Sequence, residues 1–378
     1  MVRTGSASGA GGPTLAVVAR ETGVSVPTVS KVVNGRQDVA PETRLRVTEA
    51  LDRLGYVRRP RFDAVRPPRL VDLVVHSLDG SRSGAVLHGV ERAAHDAGLD
   101  VVVSAEQAGG NAGRPRRGWP DRLGARGTAG VLFHLAELTE PQQAWLERRR
   151  VPFVMVDPAV EPRPGVVSVG AANWQGGVTA TEHLLGLGHR RIAVIAGQRQ
   201  TTASGARVAG YRSALSAAGV RHRPEYVRHA GAEEACVRHA GAEEACVRHA
   251  GAEEACVRHA GAEEAAVRRR VRELLALPEP PTAVFVCSDR MALGVCEALT
   301  ERGLSVPDDV SVVGFDDAPE ARWSAPALTT VRQPLAEMAA TALGLLVRMM
   351  DGDRPDCTRT ELSTRLIRRA STAPPKDS

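Results

Sequence analysis

From Leu70 onward, short apolar runs alternate with amphipathic stretches. The runs are LVDLVV (70–75), DVVVS (100–104), GVLFHLA (130–136), VPFVMVD (151–157), RRIAVIAG (190–197), AVFVCSD (283–289) and VSVVGFDD (310–317). Between them, residues 84–97, 174–187, 204–218, 290–302 and 335–350 carry apolar residues at helical spacing. Short β-rich runs separated by helices specify βαβ units, and hence parallel sheets. Seven such units are too many for one compact sheet. The expected fold is therefore α/β, with two lobes facing a cleft.

The first seventy residues follow a different pattern. Thr14 is placed to cap a helix over 15–21, whose Leu15, Val18 and Ala19 share a face. Gly23 can end that helix in the left-handed conformation. Ser25 can cap a second helix with Pro27 in its first turn, where a missing N–H costs nothing. Asn34-Gly35 is a stop. Pro41 opens a third helix to Leu54, with Leu45, Ala50, Leu51 and Leu54 expected to face inward and Gly55 closing it. Helix, four-residue turn, helix is the spacing of a helix-turn-helix unit. Residues 57–69 have a linker's composition, with Arg58, Arg59, Arg61, Arg66 and Arg69 among Pro60, Pro67 and Pro68.

Charge sharpens this division. The 378 residues are 43% hydrophobic and 25% charged, ordinary for a folded protein, with a net charge of +5. Residues 1–70 hold twelve basic and six acidic side chains, a net +6, which leaves −1 for everything after them. A basic module on a nearly neutral body points to a polyanion, and nucleic acid is the expected partner. A solvated basic face is the alternative that charge alone leaves open. No apolar run is long enough to cross a bilayer, so no membrane association is expected. Met1–Pro13 is Gly/Ser-rich without the apolar core of a secretory signal. The expected location is cytoplasmic, at the nucleoid.

One tandem repeat interrupts the α/β pattern. VRHAGAEEAC occurs at 227–236, 237–246 and 247–256, followed by VRHAGAEEAA at 257–266. A ten-residue period matches neither a heptad nor an eleven-residue repeat, so successive copies face different ways on a helix. Long helix, bulged loop and disorder all remain open, with an elongated, partly helical excursion from the C-terminal lobe expected. Each of Cys236, Cys246 and Cys256 stands three residues before a histidine, a spacing that can hold a soft metal. Copies this identical read better as duplication of one coding unit, and no metal is expected. Removing three copies leaves 348 residues. The remaining cysteines, Cys287, Cys296 and Cys357, lie in patterns that suggest buried thiols.

The stretch TLAVVARETGVSVPTVSKVVNGRQDVAPETRLRVTEALDRLGY (14–56) resembles the DNA-binding headpiece of the lactose/galactose-repressor family. A second helix starting at Ser25 puts Val26, Pro27, Thr28, Ser30 and Lys31 at the major groove, with Val29, Val32 and Val33 left as core. Arg36, Arg44 and the helix N-termini at Thr14 and Ser25 can hold phosphates, with Asn34 beside them. The resemblance further implies a hinge that enters the minor groove through a short helix. Here the segment is YVRRPRFDAVRPPRL, with three prolines and without the family's asparagine. Ala64, Val65 and Phe62 are its candidates for insertion, and Arg58, Arg59 and Arg61 can bind backbone. Whether it folds as a helix on DNA stays open.

The body resembles the same family, in its form related to periplasmic sugar-binding proteins. The matching pieces are NWQGGVTATEHLLGLGHRRIAVIAG (173–197), SGARVAGYRSAL (204–215), PPTAVFVCSDRMALGVCEAL (280–299), GLSVPDDVSVVGFDD (303–317) and PALTTVRQPLAEMA (326–339). The implied layout is a headpiece (14–56), a hinge (57–69) and an effector-binding domain (70–378) with the repeat inserted at 227–266. One lobe spans about 70–170 and 332–356, the other about 171–331 and 357–378. The resemblance implies that Arg207 and Asp316, at opposite edges of the cleft, grip an effector's polar groups, with Asn173, Ser288 and Asp289 nearby. Without it, Arg207 reads as a surface arginine and Asp316 as a loop cap. Positions where the family usually places aromatics hold Arg82, Ser83 and Ala262, leaving Trp174 and Trp323 as stacking surfaces. The ligand site is therefore expected to be weaker or more polar than usual, or missing.

No Ser/His/Asp order, phosphate-cradling glycine loop or carboxylate pair suggests catalysis, and no cofactor is expected. The expected function is a transcriptional regulator, a repressor, binding a pseudo-palindromic double-stranded operator as a homodimer under a small polar, sugar-like effector. The alternative is a two-lobed small-molecule-binding protein or enzyme without operator binding.

Overall fold

The computed structural model describes residues 14–33, 36, 38–54, 56, 69–78, 80–105, 119–197, 201–230 and 252–376. They divide into two compact units between Pro67 and Pro68.

The first unit is three helices, α1 (Leu15–Thr22), α2 (Val26–Val33) and α3 (Pro41–Arg53). Its core is Val18, Ala19, Val29, Val32, Val39, Val47 and Ala50. Gly23 ends α1 at φ 67°, and Ser25 Oγ accepts from Thr28 N at 3.3 Å to start α2. Thr14 precedes α1 without a side-chain capping bond. Leu45 does not face inward but is 62% exposed. Val47, Ala50, Leu51 and Leu54 form the i, i+3, i+4, i+7 stripe of α3, and Leu45 sits two residues, some 200°, away from it.

The second unit holds two six-stranded sheets. Its elements in chain order begin with β1 (Arg69–Val75), α4 (Ser81–Asp96), β2 (Leu99–Ala105), α5 (Trp119–Arg126), β3 (Gly130–His134), α6 (Glu140–Arg148), β4 (Phe153–Val156) and β5 (Ser168–Ala171). There follow α7 (Asn173–Gly186), β6 (Ile192–Ala196), α8 (Thr202–Ala217), β7 (Val227–His229), α9 (Ala252–Leu275), β8 (Ala283–Val286), α10 (Asp289–Thr300) and β9 (Ser311–Asp316). The chain ends with α11 (Glu320–Trp323), β10 (Thr329–Arg332), α12 (Leu335–Met350), β11 (Arg359–Leu362) and β12 (Arg365–Ile367).

One sheet runs β11-β5-β4-β3-β1-β2 and the other β12-β10-β9-β8-β6-β7, parallel throughout except where β12 meets β10. Every apolar run expected to be a strand is one. The five additional strands are short, and β7, β11 and β12 lie at sheet edges, where half-exposed polar residues hide the signal. The chain changes lobes three times, after β5, after β10 and after β11. Because β11 pairs with β5, the third change comes at residues 363–364, later than the 357 read from the sequence. Cys287 is buried, but Cys296 is half-buried and Cys357 exposed, in the polar stretch that precedes β11.

A histidine ties the C-terminal segment to the second sheet. His189 shares hydrogen bonds with Thr282 Oγ1 (2.9 Å) and Ser311 Oγ (3.1 Å) and bonds Ala373 O (2.9 Å). Ser371 Oγ accepts from Thr329 N at 2.8 Å and donates to Val312 O at 2.6 Å. Polar groups this buried need such partners.

The repeat shows one sequence in two conformations. Val227-Arg228-His229 of the first copy is strand β7, while the identical residues 257–259 of the fourth lie within α9. Their neighbours decide. Buried Tyr226 anchors the first copy, its hydroxyl donating to Glu279 O at 2.6 Å. The fourth runs into the stripe Ala266, Val267, Val271 and Leu274, which packs into the core beside β6. Arg270 Nε donates to His229 O (2.8 Å), and Arg228 pairs with Glu273 (3.2 Å), joining the two ends directly. The cysteines considered for a metal lie outside the described residues or where no side chain is described.

Deleting residues 231–260 joins Ala230 to Gly261 and restores a single VRHAGAEEAA unit. The cut removes residues 252–260 from the start of α9 but keeps Tyr226 and the stripe Ala266, Val267, Val271 and Leu274. Fewer residues between fixed ends cost less entropy to close. The deletion variant is expected to melt no lower than the parent in a thermal unfolding scan.

Candidate functional site

Helix α2 turns two faces in different directions. Val29 and Val32 are buried in the three-helix core, while Ser25, Val26, Pro27 and Lys31 are exposed, with Thr28 and Ser30 half-buried between them. An exposed Val-Pro pair opening a helix beside hydroxyls and an ammonium can contact both apolar and polar base edges. Lys31 Nζ lies 2.7 Å from Asp38 Oδ2, with both side chains at least half exposed. The bond from Lys31 holds the Asp38 carboxyl below its usual value. Such an exposed pair is weak and readily exchanged. Arg44, on α3, reaches back to donate to the carbonyl of Arg36. Asn34, Arg58, Arg59, Arg61 and Ala64 lie outside the described residues.

In the second unit, a charged cluster forms where the lobes meet. Its foundation is the crossing of α7 and α8. A Cβ on Gly177 would stand 2.2 Å from Arg207 O, and one on Gly210 would stand 2.1 Å from Trp174 O. The helices therefore touch backbone to backbone. That contact sets Arg207, 3% exposed, beside the start of α7. Its Nε donates to Asn173 Oδ1 at 2.8 Å and its Nη1 to Cys287 O, and its guanidinium carbon stacks 3.7 Å from the Phe315 ring centroid. Asp316 lies 3.9 Å from Nη1 and accepts from Gln333 Nε2.

Arg207 and Asp316 are thus neighbours in one lobe, not residues at opposite edges of the cleft. The facing charges come from the other lobe, where Arg82, on α4, bonds Asp157, just past β4. Burial works against the Arg82 charge, but Asp316 and Asp157 outweigh it and raise its pKa. Burial lowers that of Arg207 despite Asp316, with Arg82 adding to the effect. The two pairs therefore act on each other across the lobe boundary. His134, ending β3, is fully buried, and its pKa falls to about 4, chiefly through burial and then through Arg82.

Other expected residues have different surroundings. Ser288 caps α10, accepting from Met291 N. Asp289 is fully buried and uses both oxygens internally, accepting from Thr330 Oγ1 (2.5 Å) and Ala318 N (2.8 Å). Burial raises its pKa to about 7, with Asp316 adding to the effect. Ser83 is buried on α4. Trp174 and Trp323 are 47% and 82% exposed. Ala262 falls within α9, where its side chain is not described.

Asp157, His134, Phe315 and Gln333 belong to the cluster and were not singled out from the sequence. One sign was available for three of them, since His134, Asp157 and Phe315 lie at the ends of apolar runs, and ligands of parallel sheets gather beyond strand C-termini. Positive φ at Leu135 (54°), Asp157 (47°), Asp316 (123°) and Asp317 (58°) marks the same strand ends.

Known proteins resemble the chain over nearly its whole length. Residues 14–59 match the family described as bacterial regulatory proteins, lacI family. Residues 70–234 match periplasmic binding proteins and sugar binding domain of LacI family, and 226–372 match a periplasmic binding protein-like domain. The HTH-type transcriptional regulator CelR of Thermobifida fusca is 33% identical over 368 residues, covering 95% of this chain and 98% of that protein. A solved complex of a transcriptional regulator CelR with cellobiose is 30% identical, with a TM-score of 0.63, covering 95% of this chain and 99% of the other. The lac repressor dimer bound to operator and the anti-inducer ONPF is 25% identical, with a TM-score of 0.66, covering 96% and 99%. Among the described residues, no helix is long and apolar enough to cross a membrane.

Two outcomes follow from this geometry. Gly177→Ala should force α7 and α8 apart and lower stability by about 1–3 kcal/mol in urea unfolding. The second concerns acid. His134 binds its proton less readily folded than unfolded, so its contribution is complete above about pH 6.5 and is lost as pH falls toward 4. Asp289 binds its proton more readily folded, so stability is gained as pH falls from about 7 toward 3.8. The two oppose each other and separate in the variants. Relative to the parent, His134→Asn should gain stability between pH 7 and 4.5, and Asp289→Asn should lose it.

Proposed function

The chain belongs to the lacI family of bacterial regulatory proteins and is a DNA-binding transcriptional regulator, and from that premise we propose that it is a repressor reading its operator with the exposed face of α2. The observation that carries this reading is the division of that helix, with Val29 and Val32 in the core and Ser25, Val26, Pro27 and Lys31 exposed. Val26, Pro27, Thr28, Ser30 and Lys31 contact base edges, and Lys31 exchanges Asp38 for DNA. Thr14, Ser25, Arg36 and Arg44 hold phosphates, with Asn34 and the hinge residues Arg58, Arg59 and Arg61 joining them, while Ala64 enters the minor groove. The headpiece is 14–56, the hinge 57–69 and the sensor 70–378. Two copies bind a pseudo-palindromic site, one half-site each.

A small polar effector binds between the lobes, on Arg82, Asn173, Arg207 and Asp316, and changes operator affinity by favouring one lobe arrangement. The protein acts in the cytoplasm, at the nucleoid, and without an enzymatic step.

Footprinting on the DNA upstream of its own gene across a salt series tests this reading. A protected palindrome is expected, with affinity falling steeply as salt rises. No protection at any salt would overturn it. Lys31→Ala is expected to cost about 1–3 kcal/mol on that site and less on random DNA. Equal losses on both would restrict Lys31 to phosphate contact.

A further inference from the structure

The boundary between the lobes presents atoms that the protein itself leaves unsatisfied. Each of the two guanidinium groups there has nitrogens committed to the protein and one buried nitrogen open. Arg82 spends an Nη2 proton on Asp157, while its buried Nε has no partner among the described residues. Arg207 spends Nε on Asn173 and Nη1 on Cys287 O, while its buried Nη2 has none. Both ring nitrogens of His134 are likewise unpartnered. Each carboxylate nearby already accepts at least one bond from the protein. Asp157 takes Arg82, Asp316 takes Gln333, and Asp289 takes Thr330 and Ala318.

Resting on the effector reading above, we propose that the ligand carries a carboxylate or phosphate held between Arg82 of one lobe and Arg207 of the other. Its class is an acidic or phosphorylated polyhydroxyl compound. An unsatisfied buried donor is costly, more so on a cation. One anionic group offers several acceptor oxygens, enough to take a charge-assisted bond from each of the two cations. A neutral hydroxyl would reach one such donor and bring a proton needing an acceptor of its own. Gln333 Oε1 is a buried acceptor without a partner among the described residues, and it suits a ligand hydroxyl. Arg82 and Arg207 also repel each other beside Asp316 and Asp157, which oppose that repulsion, and an anion between the two cations opposes it further. The guanidinium of Arg82 stands where the family resemblance leads one to expect an aromatic ring. Charge replaces stacking there as the means of recognition.

Isothermal titration of the full-length protein with D-gluconate, glucose 6-phosphate and glucose, at one ionic strength set with chloride, tests this. At least one of the two anions is expected to bind tenfold or more tightly than glucose. Gluconate alone would identify a carboxylate, and glucose 6-phosphate alone a phosphate. Arg82→Gln leaves Asp157 without its partner, so the paired variant Arg82→Gln/Asp157→Asn, neutral at both positions, serves beside it. The pair should bring the preference for the anion close to one. Glucose binding as well as both anions, a preference that survives the paired variant, or no binding by any of the three would overturn the proposal. Gel shifts with and without the bound anion separate the two readings. An anion that binds without changing operator affinity would remove the effector reading and leave the anion site standing.

Discussion

The lobe boundary is built outward from a contact between two backbones. Helices α7 and α8 approach so closely that neither Gly177 nor Gly210 has room for a Cβ. That approach brings Arg207 against Asn173 and lays it over Phe315, where burial would otherwise make its charge untenable. Once Arg207 is fixed, Asp316 and Gln333 follow on one side, and Arg82 with Asp157 faces them from the other lobe. A charged cluster at the seam of two lobes needs such a rigid base.

Much of this was legible beforehand, and what was missed has physical reasons. The central strands of a parallel sheet are apolar on both faces, so their sequences read clearly, as in GVLFH at β3 or SVVGFD at β9. Edge strands such as RTEL and RLI carry charge on their open side and do not stand out. Leu45 was misplaced because hydrophobicity was counted without its angular position on the helix. In the charged cluster, resemblance pointed to Arg207, Asp316, Asn173 and Arg82 but set the first two apart. Their pairing depends on glycine contacts between elements distant in sequence. Asp157 and His134 gave little sign because an acid or a histidine ending a strand looks like an ordinary boundary residue.

The two units divide the chemistry between them. The helical unit keeps its core to small aliphatic side chains and leaves one helix face free for contact. The sheet-bearing unit invests in buried polar groups, which are costly unless satisfied and therefore hold few alternative arrangements. His189, Ser371 and Asp289 are satisfied and fasten strands and the C-terminal segment. Among the described residues, Arg82 and Arg207 are only partly satisfied and His134 not at all, and they lie where the lobes meet. Satisfied networks build the frame, and incomplete ones mark where it can respond.

Strand β7 and helix α9 take their anchors from residues on either side of the repeated decapeptide, Tyr226 before it and Val267 to Leu274 after it. The fold therefore does not register how many copies lie between. A coding repeat of this kind is prone to slippage when it is copied, and each slip adds or removes a whole unit in frame. The anchors make such length variants equivalent at the level of the sheet.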